Sequence, residues 1–340
     1  VTEAKVTRKL SFQTIQTASV FLLLAGLCVF SSLQTETFFS WRNLVDNLLT
    51  NASATGVMAC GMTLVMIAGG FDLSVASITA VCSVVTVMVL VGCASFGPWV
   101  AIPLAVVAVL VTGTLLGAVN GLWIAYGSVN PFVVTLSTLL IFRGIALVIT
   151  HGGQTIIVPL ELGKSFRLLY WGRMGIGIPE YRLSIPILIF IAVFICFWIA
   201  LRYMRFGHYL YAVGGNETAS WLAGIRTARV KAAAYILCGM TCGIAALIST
   251  GMSNTAQAAS FQGLEMIVIA SVIVGGTPLG GGSGSLWYTL NGLLLLSVIE
   301  NLLSQYGITE EYRNIIRGVI ILVVVTVDAV MRRGNRKSFV

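Results

Sequence analysis

The sequence predicts an all-α integral membrane protein of about ten transmembrane helices, with helices broken by glycine in both halves. Three observations carry that expectation. The 340 residues are 57% hydrophobic and only 9% charged, whereas a soluble domain carries about 25% charged residues, so a water-facing surface could not be covered. The mean hydropathy is +0.96. The apolar residues also fall in long continuous runs, unlike the short alternating segments of a membrane barrel. At roughly 20 residues per crossing, the length leaves room for about eight to ten helices.

The chain reads as a single membrane domain over residues 1–340. Lys5, Arg8 and Lys9 precede the first apolar run, 17–33, and the positive-inside rule sends that helix outward. The run is long enough to span, so no cleavable leader is expected. A second run, 44–67, returns inward and ends at Gly69-Gly70. A third begins after Phe71-Asp72-Leu73-Ser74 and ends near Gly92; Asp72 or Ser74 is placed to cap it by accepting from first-turn amides. Pro98-Trp99 opens the fourth run, 99–125. Asn130-Pro131 then gives a strong start signal for the fifth, 131–149, with Asn130 as cap and Pro131 where its missing N–H costs nothing.

Residues 151–182 form a polar stretch that the span count places outside, and Ser184 and Pro186 open the sixth helix, 184–202. The loop 203–229 is rich in Arg and Lys and is assigned to the cytoplasm. A seventh helix, 230–250, is followed by a polar outer loop, Ser253 to Gly263. An eighth run, 264–275, is too short to cross alone and breaks at Gly275-Gly276. The ninth and tenth runs, 286–303 and 312–331, precede Arg332, Arg333, Arg336 and Lys337, which suit the cytoplasmic side. The break at Gly69-Gly70, followed by Asp72 and Ser74, is echoed by the break at Gly275-Gly276. Broken helices at matching places in two halves point to a transport site, and close packing of tight turns is the plainer alternative.

Several chemistries are excluded or unsupported. No G-x-x-x-x-G-K-[ST], H-E-x-x-H or G-x-S-x-G occurs, so neither ATP hydrolysis by this chain nor an enzyme active site is expected. The seven Cys lack metal-ligand spacing and read as small packing residues. The two His, His151 and His208, are not clustered. The net charge of +8 is explained by loop cations, so nucleic acid is not an expected partner. Arg143 and Arg317 are the deepest charges, and the absence of a clear mid-span carboxylate speaks against ion-coupled transport.

One loop segment has the form of a short capped helix. Gly214-Gly215 is a break, Asn216 is a cap, Glu217 lies in the first turn where the helix dipole favours an anion, and Gly224 is a stop. Trp221, Leu222 and Ile225 supply apolar anchors. Physical chemistry leaves two uses open, docking into a groove of a partner or resting on the inner leaflet.

Four segments carry a family resemblance: Gly61 to Ser77 (GMTLVMIAGGFDLSVAS), Asn130 to Leu136 (NPFVVTL), Arg205 to Ile225 (RFGHYLYAVGGNETASWLAGI) and Val274 to Gly284 (VGGTPLGGGSG). Together, and in this order, they resemble the permease subunits of bacterial monosaccharide ABC importers of the ribose, galactose, arabinose and xylose type. The resemblance implies a multi-pass protein of the bacterial inner membrane. It implies a second permease copy, a cytoplasmic ATPase that holds ATP and Mg, and a periplasmic sugar-binding protein; this chain itself needs no cofactor. It also implies that Gly214, Gly215, Asn216, Glu217, Ala219, Trp221, Leu222 and Gly224 form the ATPase-coupling segment, which favours docking over the leaflet. Transport by alternating access follows. A polyol pathway needs small polar and aromatic groups, for which Asn120, Phe132, Thr135, Ser137 and Thr138 are candidates, with helix–helix hydrogen bonding as the alternative. Arg167, Arg173 and Arg182 in the outer loop are candidates for binding-protein contact, with a solvated loop near headgroups as the alternative. Permeation of branched amino acids or nucleosides, and ion-coupled transport, remain the rival functions.

Overall fold

The computed structural model describes residues 12–171, 173–175, 182–320, 322 and 326. The chain is helical almost throughout. Helix α1 spans Phe12–Gln34. A π-helical stretch, Arg42–Leu49, runs directly into α2, Thr50–Ile67. Helices α3 (Val75–Gly92), α4 (Pro98–Ala125) and α5 (Pro131–Ile149) follow. The connection between α5 and the next long helix holds β1 (Ile156–Ile157), α6 (Leu160–Trp171), β2 (Arg173–Gly175) and β3 (Arg182–Ser184). Then come α7 (Ile185–Tyr203), α8 (Arg205–Gly215), α9 (Glu217–Leu222) and α10 (Thr227–Ser253). Strand β4 (Thr255–Ala256), α11 (Leu264–Gly275), α12 (Leu286–Gln305) and a helical segment over 310–320 complete the described chain.

Seven helices among the described residues are long and apolar enough to cross a membrane, counting the π-helical stretch with α2. The other expected spans are α1, whose apolar part is Val20–Gln34, the short α11, and the tenth run, which lies largely outside the described residues. The spans form two layers. About 83%, 72% and 67% of the apolar windows of α2, α3 and α10 are buried, against 33%, 28% and 28% for α4, α5 and α7. The first three build the core, and the last three turn Val, Leu, Ile and Trp side chains outward, as lipid-facing helices do.

Without a hydrophobic drive between helices in lipid, close backbone approach holds the core together. Gly113, Gly117 and Gly121 recur every fourth residue on α4 and face α10, the first two against Gly239 and the third against Ala232 and Tyr235. A methyl at Gly117 would overlap the carbonyl oxygen of Tyr235 and come within 3.0 Å of the Gly239 Cα. The deep cation Arg143 donates from Nη1 to the carbonyl oxygens of Ala258 and Ser260, the latter at 2.8 Å, and so ties α5 to the loop before α11.

Three expectations need correction in detail. Residues 205–215 are not loop but helix α8, and Gly214 and Gly215 form its last residues. Neither Asp72 nor Ser74 accepts from the first-turn amides of α3; Asp72 Oδ1 instead accepts from the amide and hydroxyl of Ser74, at 2.8 and 2.6 Å. Ser184 and Pro186 open α7 where the sequence places them, and Ser184 Oγ lies 2.6 Å from Thr50 Oγ1 on α2. The polar stretch 151–182 is partly ordered into α6 and two small pairings: β1 pairs antiparallel with β4, and β2 with β3.

Candidate functional site

The start of the site is the segment after α8. Asn216 leaves the helix with extended backbone, and its Oδ1 accepts from the amide of Ala219, which caps α9. Glu217 sits in the first turn and pairs with Lys231 of α10, which orients α9 on the bundle. Gly224 has φ +84°, and its amide reaches the carbonyl of Trp221 at 2.9 Å while that of Ile225 reaches Ser220 at 3.0 Å. That closing turn needs a left-handed residue, which glycine supplies. The result is a rigid, short helix whose Trp221 and Leu222 are 66% and 73% exposed.

Just before it, three glycine pairs from distant parts of the chain meet. The amide of Gly282 donates to the carbonyl of Ile67, the last residue of α2, at 2.9 Å. A methyl at Gly281 would lie 2.6 Å from the Gly69 Cα, and one at Gly282 would lie 2.7 Å from the Gly215 Cα. A methyl at Gly214 would overlap the Ile67 carbonyl oxygen. Tyr211 of α8 adds a hydrogen bond to the carbonyl of Gly284 at 2.9 Å. The two helix breaks therefore touch each other and the end of α8. Irregular backbone at this depth is tolerated because protein, not lipid, satisfies its polar groups.

Beside the junction lies a buried carboxylate. Asp72 is fully buried; it accepts from Ser74, and its Oδ2 accepts from Asn120 Nδ2 at 3.2 Å. Asn120 also donates to Ser74 Oγ at 2.7 Å, and Tyr235 donates to the carbonyl of Phe71 at 3.2 Å. No cationic side chain pairs with Asp72 among the described residues, so three donors and the start of α3 stabilise it. Asp72→Ala is expected to strand the Ser74 and Asn120 donors at about 1–3 kcal/mol each. Thermal unfolding of the purified protein in detergent should show a clearly lowered midpoint, and an unchanged midpoint would refute this role.

At the opposite ends of α2, α11 and α12 is a cavity of about 630 Å³. Its polar wall includes Asn47, Asn51, Thr55, Ser297 and Asn301. Asn43 and Asn301 exchange amide hydrogen bonds at 3.2 and 3.0 Å, which joins the π-helical stretch to α12. π-helical turns often mark functional places. Arg317 binds Glu300 bidentately through Nε and Nη2, and its Nη1 contacts Glu310 at 3.0 Å, while Arg313 pairs with Glu310 at 2.8 Å.

The residues expected along a pathway lie elsewhere. Asn120 belongs to the Asp72 cluster. Thr135 is buried and donates to the Pro131 carbonyl at 2.8 Å, and Thr138 donates to that of Thr135 at 3.3 Å. Phe132 is half exposed with its ring 6.3 Å from that of Phe71, and Ser137 is exposed. None of these five lines the cavity. Arg167 is exposed on α6; Arg173 and Arg182 stand in β2 and β3, and their side chains lie outside the described residues. Sequence reasoning passed over the cavity wall, although Asn47 and Asn51, and Ser297, Asn301 and Ser304, recur at one-face helical spacing inside apolar runs.

Comparisons with known proteins agree with this architecture. The family model described as branched-chain amino acid transport system / permease component matches residues 44–325. The ribose import permease protein of Escherichia coli (strain K12) is 36% identical over 310 residues, 91% of this chain and 92% of that protein. The L-arabinose transport system permease protein of the same strain is 33% identical over 284 residues, 84% of this chain and 82% of that protein. Its D-allose transport system permease protein is 29% identical over 314 residues, 92% and 91% respectively. Comparison with solved structures gives no significant match.

Proposed function

The chain belongs to the family of branched-chain amino acid transport system permease components, and from that premise we propose that it is the membrane permease of an ATP-driven monosaccharide importer. The observation that carries the ATP-driven reading is α9. A capped helix of six residues with two large apolar side chains turned outward has the form of a plug for a groove on another protein. It follows directly on α8, which touches both helix breaks. A chain without a nucleotide-binding motif needs such a connection if its movement is driven by ATP.

The partner at α9 is a cytoplasmic ATPase carrying ATP and Mg. Its closure pushes on α9, and the glycine junction passes the push to α2 and to the segment between α11 and α12. On the opposite face, a periplasmic binding protein delivers the sugar, with Arg167, Arg173 and Arg182 as candidate contacts. A second copy of the permease completes the importer in the bacterial inner membrane, and the pair works by alternating access.

The sugar assignment rests on the relatives named for ribose, allose and arabinose. The family description names branched-chain amino acids instead, so the two substrates need a direct comparison. Uptake of labelled D-ribose by vesicles containing the complete importer is expected to fall with excess unlabelled ribose, arabinose or allose and to ignore leucine. Saturable leucine uptake without sugar uptake would overturn the sugar reading.

A further inference from the structure

The cavity walled by α2, α11 and α12 is where the chemistry for holding a sugar is concentrated, and we propose that it receives one neutral monosaccharide during import. The proposal rests on the reading of the chain as a sugar permease and adds to it the place and the contacts.

The volume of about 630 Å³ falls inside the roughly 300–1,000 Å³ range of small-molecule pockets. The polar groups are of the kind that exchange hydrogen bonds with hydroxyls. The amides of Asn47, Asn51 and Gln305 each carry donors and acceptors, and the hydroxyls of Thr55, Ser297 and Ser304 do both. Leu264, Ile267 and Leu293 supply an apolar wall for the C–H face of a sugar ring.

The charges at the cavity favour a neutral ligand. Arg317 is held by Glu300 and Glu310, and Arg313 by Glu310. These ion pairs give each cation at the cavity a carboxylate partner across the turn between α12 and 310–320. A zwitterionic amino acid would need a free charge of each sign. A neutral polyol needs neither.

Placement supplies a second line. The cavity lies at one end of α2, α11 and α12, and the glycine junction at the other. Thr55 and Ile67 are separated by roughly 18 Å of helix. Movement at α8 and α9 thus acts on the far ends of the same helices that wall the cavity, so that opening or closing it needs no further relay. The amide pair of Asn43 and Asn301 joins two of these walls at the outer end.

Asn51 and Ser297 line the cavity and make no side-chain hydrogen bond to the rest of the protein among the described residues. Filling it from these positions removes no internal contact. In proteoliposomes holding the full chain with its ATPase and sugar-loaded binding protein, Asn51→Phe and Ser297→Phe are expected to lower D-ribose uptake at least about tenfold, the loss of roughly one good hydrogen-bonding contact. Gly144→Ala on α5, which does not line the cavity and has room for a methyl, should stay close to the parent. Uptake unchanged in both filled variants would overturn this proposal and leave the importer reading standing. A parent protein that takes up no monosaccharide would instead overturn the importer reading and this proposal with it. If a filled variant fails to assemble, Ser297→Cys decides. Alkylation at that residue by a charged reagent added outside, read by mass spectrometry, should slow in saturating ribose, and an unchanged rate refutes the site.

Discussion

Leu222→Asp is expected to abolish sugar uptake while the permease remains in the membrane and the ATPase still hydrolyses ATP. Leu222 is 73% exposed on a helix whose cap, ion pair and closing turn do not involve its side chain, so the fold should not register the change. The interface should. Anchors of this kind typically contribute about 2 kcal/mol or more to docking, and a carboxylate pressed into an apolar groove adds its own desolvation cost. Docking should weaken by about 30-fold or more, enough to break the mechanical connection at ordinary subunit concentrations. Paired assays of uptake and ATP hydrolysis on the same reconstituted complex check this. Normal uptake in the variant would mean that α9 rests on the inner leaflet and transmits nothing.

Gly214→Ala should have an effect of similar size for a different reason. The added methyl would overlap the Ile67 carbonyl oxygen and lie 2.6 Å from the Gly282 amide nitrogen. Both neighbours are backbone, so neither can swing aside. The junction must open, the hydrogen bond from Gly282 to Ile67 is lost, and α8 separates from both helix breaks. Overpacking of this sort costs about 1–3 kcal/mol or more, and uptake is expected to fall to background. Gly144→Ala on α5 is the control. Nothing lies within 4 Å of a methyl there, and alanine favours a helix over glycine by roughly 0.5–1 kcal/mol. Gly214→Ala should lower the unfolding midpoint and uptake together, while Gly144→Ala should preserve both. Equal behaviour of the two variants would show that the junction is not a relay.

Much of the fold was legible because helix ends in lipid are marked locally. Asn130-Pro131 opens α5 where the sequence places it, and Gly275-Gly276 ends α11 at the expected residue. Asn216 and Gly224 bound the short helix because cap and stop act within a few residues. Helix α8 was missed because Gly214-Gly215 read as a break and the Arg-rich segment before it as loop. Packing asks for glycine inside this helix: a methyl at Gly207 would overlap the Leu201 carbonyl oxygen, and one at Gly214 the Ile67 carbonyl oxygen. Tertiary contact, not local propensity, decides there.

The candidate site was legible in its parts and not in its assembly. The two breaks stand out in the sequence, but their meeting at Gly69, Gly281 and Gly282 depends on how α2, α8 and α12 pack. Asp72 looked like a helix cap because it precedes α3, whereas the side chains that complete its environment come from Asn120 on α4 and Ser74 beside it. The cavity wall joins Asn47 and Asn51 to Ser297 and Asn301, about 250 residues away in the chain. The pairing of Glu300 with Arg317 likewise joins a carboxylate that, taken singly, looks like a helix-end residue free to reach the interface to one of the two deepest cations.

The most direct measurement is ribose uptake into proteoliposomes that contain the permease, its ATPase and sugar-loaded binding protein, with ATP supplied or withheld and ion gradients collapsed by ionophores. Uptake is expected only when ATP and the ATPase are both present, and it should be indifferent to the ionophores. Uptake by the permease alone that follows a proton or sodium gradient would contradict the ATP-driven reading and show instead an ion-coupled transporter.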